Sequence, residues 1–139
     1  MKKYLFTFVL MFSAIFANAQ AASHQAYTQK TANKIAIDTK LSKKILKEIQ
    51  KGKAYLVDVR TPEEYGTKHL KYAQNINIRS EKFAEEIKKL DPSKKIYLYC
   101  RSGNRSGKAA DTLQTFGYQL GYNIGGLDSL LTKGLPADQ

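Results

Sequence analysis

The chain has 139 residues, 42% of them apolar, which is enough for one domain around one core; its lone cysteine excludes an internal disulfide. It carries 23 basic against 12 acidic side chains, a formal charge of +11, yet 19 of the cations are lysines scattered along the chain. Lys43, Lys44, Lys47 and Lys51 surround one expected helix, and Lys88, Lys89, Lys94 and Lys95 flank a turn, so they read as a solvated surface and no nucleic-acid partner is expected.

The first segment reads as a secretory signal peptide over residues 1–19. Lys2 and Lys3 precede an apolar run from Tyr4 to Ala17, and Ala17-Asn18-Ala19 is a small-x-small cleavage signal. A helix of that run reaches roughly 21 Å, short of the roughly 30 Å hydrocarbon core of a bilayer. The expectation is an exported protein, periplasmic or secreted, with no stable membrane anchor after cleavage. Residues 20–33 are small and polar without periodicity, which predicts a flexible N-terminal lead in which His24 is a bystander. One domain is expected over 34–137.

Lys34 to Ile37 has the makings of a short strand, and Asp38 can cap the next element. Leu41, Ile45, Leu46 and Ile49 fall on one helical stripe that Gly52 ends. Ala54 to Val59 is an apolar run of strand length with Asp58 near its end, the pattern of a buried parallel strand. Thr61-Pro62-Glu63-Glu64 starts a helix, with a capping residue, a proline at the first helical position and an acid three residues after the cap. A strand is predicted over 74–78. A helix from Ser80 carries Phe83, Ile87 and Leu90 on one side and breaks at Asp91-Pro92. Lys95 to Tyr99 reads as a strand, Ser106 to Phe116 as a helix capped by Gly117, and Gln119 to Ile124 as a last strand. Gly125-Gly126 then turns the chain into a short helix ending near Gly134. Strands alternating with helices of this length imply an α/β fold: a central parallel sheet of about five strands with helices on both faces.

Ligands in such sheets bind at the carboxyl ends of the strands, where Asp58 and Cys100 fall. The segment Cys100-Arg101-Ser102-Gly103-Asn104-Arg105 joins a strand to a helix. Its small residues let several backbone N–H groups converge on one spot, and Gly103 permits a backbone angle closed to most residues. The helix from Ser106 adds the positive end of its dipole, and Arg101 and Arg105 add charge. Each factor favours a thiolate, and comparable settings bring a cysteine from about 8.5 down to roughly 3.5–7.5. A merely structural cysteine would have apolar neighbours, and this one has Arg, Ser, Gly, Asn and Arg. Of the four arginines, Arg60, Arg101 and Arg105 fall at candidate site positions and Arg79 does not. A planar guanidinium suits a small oxyanion.

With these residues in hand, the sequence resembles the single-domain rhodaneses, the thiosulfate-type sulfurtransferases, from roughly Ile35 to Pro136. The resemblance rests on "YLVDVRTPEEY" (55–65), "HLKYAQNINI" (69–78), "YCRSGNRSGKAADTL" (99–113) and "YNIGGLDSLLTKGLP" (122–136). It implies a rhodanese-like fold in which Cys100 accepts a sulfane sulfur as a persulfide. The donor is small and anionic, such as thiosulfate, and the acceptor is cyanide or a thiol, with a protein acceptor as a further possibility. It implies Arg60, Arg101, Ser102, Gly103, Asn104, Arg105 and Ser106 as binding residues, with Asp58 and His69 as structural neighbours. No cofactor or metal is expected, since two distant histidines and one cysteine make no metal site.

The chain departs from the family pattern over Lys68-His69-Leu70-Lys71-Tyr72-Ala73. Lys68 and Tyr72 stand where that family often has glycine, so this loop is expected to differ in backbone shape or contacts. Leu130 stands where a tryptophan is common. Two other readings compete. A cysteine phosphatase or arsenate reductase also holds a thiolate in an anion nest, but the phosphatase loop places five residues between cysteine and arginine, and here there are four. A persulfide carrier or binding module for a protein partner shares the fold.

Overall fold

The computed structural model describes residues 34–138, so the expected signal peptide (1–19) and the lead (20–33, with His24) lie outside the described residues. Helix α1 (Thr39–Gln50) starts at the expected cap, where Asp38 accepts the Leu41 N–H at 2.7 Å. Helix α2 (Pro62–Thr67) closes the expected capping box: Thr61 accepts from the Glu64 N–H and Glu64 from the Thr61 N–H.

The main sheet has four parallel strands: β1 (Ala54–Asp58), β3 (Gln74–Asn75), β4 (Lys95–Cys100) and β5 (Gly121–Gly126), in the order β3-β1-β4-β5. The fold class is as expected, but among the described residues the sheet has four strands rather than about five. Ile35 donates to the Asn123 carbonyl at 2.9 Å, and the chain reaches the Asp38 cap three residues later, too soon for Lys34 to Ile37 to build a ladder. A second, antiparallel pair forms between β2 (His69–Leu70) and β6 (Ala137–Asp138), which sequence periodicity could not show in two-residue strands. The Ser80 helix shrinks to α3 (Phe83–Ile87), because Ser80 accepts the Lys82 N–H and holds the preceding residues in a turn.

Side-chain alternation splits the core. Ile96, Leu98 and Cys100 of β4 join Val57, Ile76, Phe83, Ile87, Ala109, Ala110 and Leu113 on the face covered by α3 and α4 (Asn104–Thr115). Tyr97 and Tyr99 point the other way, to Ile45, Leu56, Leu127 and Leu130 beneath α1 and α5 (Leu127–Thr132). Both faces of a parallel sheet are thus buried, as its apolar strands require. The alternation also seats the cysteine against the N-terminal half of α4.

The 68–73 loop resolves its two departures differently. Lys68 is extended (φ −169°, ψ 137°), a conformation open to any residue. Tyr72 has φ +71°, the left-handed region that favours glycine, and its ring is 48% exposed. The backbone there has kept a glycine-like shape despite the side chain, at a cost of about 1–2 kcal/mol.

Candidate active site

Cys100 is the last residue of β4, paired in register with Gly126, and its side chain is buried. After it the chain takes three residues to reach α4, whose N-cap Gly103 has φ +98°. The helix begins at Asn104, two residues before the expected start, and its first backbone bond runs from the Gly107 N–H to the Gly103 carbonyl. Amides in a first helical turn have no partner within the helix. Here the cup closes on the sulfur: the Gly103 N–H lies 3.0 Å from Sγ and Ser106 Oγ lies at 3.3 Å. Burial pushes the thiol up, but the Ser106 hydroxyl and the backbone N–H groups of Ser106, Ser102 and Gly103 outweigh it, and the net shift is downward.

The glycine pair has a packing reason that the sequence did not disclose. A Cβ on Gly103 would lie 3.3 Å from Gly125 Cα, and a Cβ on Gly126 would overlap the Arg101 carbonyl oxygen. Strand β5 and the cysteine loop touch backbone to backbone, so Gly125-Gly126 ends the strand as a floor for the loop before α5 begins.

Asn123, to which sequence reading gave no role, sits beneath this contact, 1% exposed. Its Nδ2 donates to the Gly103 carbonyl at 2.9 Å. Its Oδ1 accepts from the Gly125 N–H at 3.0 Å and from Ser106 Oγ at 2.7 Å. A buried asparagine beside a glycine pair, in the quoted run "YNIGG", was the available signal.

The arginines divide. Arg60 donates through Nε and Nη2 to the fully buried carboxylate of Asp58, with an ion pair at 2.7 Å, and also to the Lys68 carbonyl at 2.7 Å. Its guanidinium lies 5.8 Å from the centre of the Tyr99 ring. Asp58 therefore orients an arginine. Arg105 forks onto Glu64 of α2 at 2.6 and 2.8 Å, and this pairing brings the Glu64 carboxyl down to about 2. Glu64 was legible only as a cap; the same carboxylate also ties α2 to α4. Arg101 is exposed, and neither it nor Lys68 enters an ion pair among the described residues.

A cavity of about 370 Å³ beside the loop is lined by Arg60, Glu64, Thr67, Lys68, Arg101, Leu127 and Asp128. Ser102 and Asn104 are exposed, and what Ser102 brings to the sulfur is its backbone N–H. His69 stacks on Tyr65 with ring centres 3.8 Å apart, bonds its Nδ1 to the Tyr65 carbonyl at 2.8 Å and pairs with Asp138 across the small ladder. These contacts are structural.

A family model described as the Rhodanese-like domain matches residues 42–133. The uncharacterized protein YqhL of Bacillus subtilis (strain 168) is 39% identical over 74 residues, 53% of this chain and 57% of that protein. The chain thus spans a little over half the length of that relative. The thiosulfate sulfurtransferase PspE of Escherichia coli (strain K12) is 37% identical over 76 residues, 53% of this chain and 71% of that one. Among solved structures, an E. coli rhodanese with anions superposes with a TM-score of 0.52 at 31% identity, covering 62% of this chain and 98% of that chain.

Proposed function

The chain belongs to the rhodanese-like domain family, and from that premise we propose that it is a sulfurtransferase that carries a sulfane sulfur as a persulfide on Cys100. The donor is thiosulfate or a similar small anion, and the acceptor is cyanide or a thiol. One observation carries the reading: a single sulfur held by the Gly103 N–H at 3.0 Å and the Ser106 hydroxyl at 3.3 Å, with no carboxylate among its hydrogen-bond partners in the described residues.

That arrangement suits the chemistry. The thiolate attacks the outer sulfur of thiosulfate, a Cys–S bond forms, and the donor's S–S bond breaks with its electron pair leaving on sulfite. The acceptor then attacks the outer sulfur of the persulfide, and the electron pair returns to Cys100 as thiolate. With cyanide the product is thiocyanate. Neither step needs a proton, so donors that stabilise negative sulfur suffice. Cys100 is 1% exposed, which favours a small donor over a bulky one. Arg101 and Lys68 are the cavity cations outside any ion pair among the described residues and draw the donor's sulfonate, while Arg60, held by Asp58, and Glu64, held by Arg105, shape the wall.

Export, read from residues 1–19, remains part of the proposal and would place this thiolate in an oxidising compartment. The test is a matrix of donors and acceptors run on the native protein and Cys100→Ser. Catalytic thiocyanate production that disappears in the variant supports the reading. Stoichiometric loading with release only to a protein would make the chain a carrier, and aryl phosphate hydrolysis without sulfur transfer would make it a phosphatase.

A further inference from the structure

The Ser106 hydroxyl has one proton and two claimants. It lies 2.7 Å from Asn123 Oδ1 and 3.3 Å from Cys100 Sγ. The amide of Asn123 cannot flip to resolve this. Its Nδ2 faces the Gly103 carbonyl, which only accepts, and its Oδ1 faces the Gly125 N–H, which only donates. Oδ1 is therefore an acceptor toward Ser106. When the hydroxyl points at Asn123, the serine turns a lone pair toward the sulfur, which suits an S–H and opposes a thiolate.

We propose that Asn123 is a positioning residue that governs the charge on Cys100 by competing with the sulfur for the Ser106 hydroxyl proton. The inference rests on the sulfurtransferase reading for its purpose. With a neutral thiol, the S–H donates to Ser106 Oγ and the hydroxyl donates to Asn123. On ionisation the thiol proton passes to water, the hydroxyl swings to the sulfur, and Oδ1 keeps the Gly125 N–H. In the persulfide the charge moves to the outer sulfur, and the hydroxyl returns to Asn123. The same amide bonds the Gly103 carbonyl, which holds the Gly103 N–H on its aim. The site thus changes its donor count with the covalent state of the sulfur while the backbone stays still.

The charged groups around the sulfur come from several elements. Arg105 of α4 acts on Cys100 and is itself held by Glu64 of α2; the Asp58–Arg60 pair stands at the end of β1; Arg101 lies in the loop, with Lys68 and Asp128 on the cavity wall, and the Lys34 side chain passes beside Gly103 and Gly125. The Ser106 hydroxyl bonds to Cys100 and Asn123 and to none of these charged groups, so a double-mutant cycle reads its coupling to Asn123.

The experiment measures the pH dependence of Cys100 alkylation by iodoacetamide in the native chain, Ser106→Ala, Asn123→Asp and the double variant. Ser106→Ala is expected to raise the midpoint by about one unit through loss of a donor, and Asn123→Asp by about one unit or more, because a carboxylate keeps the hydroxyl for itself. The double variant should fall short of the sum by about half a unit or more, since in the absence of the hydroxyl only the through-space charge of Asp acts. Additive increments, or an unchanged midpoint in Asn123→Asp, overturn the proposal. Should Asn123→Asp fail to fold, Asn123→Ser enters the same cycle and the same non-additivity decides. Sulfur loading from thiosulfate is followed separately by mass. A native chain that refuses sulfur but shows a coupled cycle retires the transferase reading and leaves the positioning role supported.

Discussion

Gly126→Ala probes the contact on which the sulfur cup is built. The added methyl would overlap the Arg101 carbonyl oxygen and lie 3.0 Å from its carbon and 3.1 Å from Ser102 Cα. All three atoms are backbone, so no side-chain rotation relieves the clash and the loop must lift from β5. Overpacking of this kind costs about 1–3 kcal/mol of stability. The lift also draws the Gly103 N–H away from Sγ, from 3.0 Å toward the limit of a hydrogen bond. Losing one bond to a charged acceptor is worth about 1.5–3 kcal/mol, or about one to two units in the thiol midpoint. Urea unfolding should show the stability loss, and the pH profile of Cys100 alkylation should move upward by about one to two units, so that alkylation slows near neutral pH and recovers at higher pH. The control is Gly66→Ala in α2, where a methyl meets nothing within 4 Å; it should stabilise the chain by about 0.5–1 kcal/mol. Native stability together with a native alkylation rate in Gly126→Ala would refute the reasoning.

Glu64 is depressed to about 2, so its ion pair with Arg105 stabilises the fold fully above the ordinary carboxyl range near 4.5 and loses that contribution as pH falls from there toward 2. Glu64→Gln should flatten the acid limb of stability measured by urea midpoints between pH 6 and pH 2; because the carboxylate is partly open to solvent, the loss at pH 7 should be only about 1 kcal/mol. Tyr72→Gly should raise stability by about 0.5–1 kcal/mol in the same assay, since glycine adopts φ +71° without strain, whereas Tyr72→Ala should not. If the proposed export holds, intact mass of the protein purified without reductant should begin at Gln20, and on the sulfurtransferase reading it should carry an increment of about one sulfur atom that is absent in Cys100→Ser, because bound sulfane sulfur would shield a lone thiolate.

The features legible in the sequence are those that local chemistry writes locally. Asp38 and the Thr61/Glu64 box marked helix starts, the apolar strand over 95–99 placed Cys100 at a strand end, and the small residues after it marked an anion cup. Contacts between distant segments were not legible. Glu64 read as a cap because its second partner, Arg105, is 41 residues away. Asn123 read as an ordinary strand residue because its partners, Gly103 and Ser106, come together only when β5 lies beside β4. The early arginines read as substrate ligands because a guanidinium advertises its charge, while the carboxylates that engage Arg60 and Arg105 reveal themselves only in three dimensions. Tyr72 shows the reverse case. A missing glycine implied an altered loop, yet the backbone keeps a left-handed turn with a tyrosine in it.

The most direct measurement is a titration of thiolate ultraviolet absorbance in the native chain against Cys100→Ser. The expected result is a midpoint below that of a free cysteine. A midpoint at or above about 8.5 would contradict the claim that the loop's amides and the Ser106 hydroxyl hold Cys100 as a nucleophilic anion.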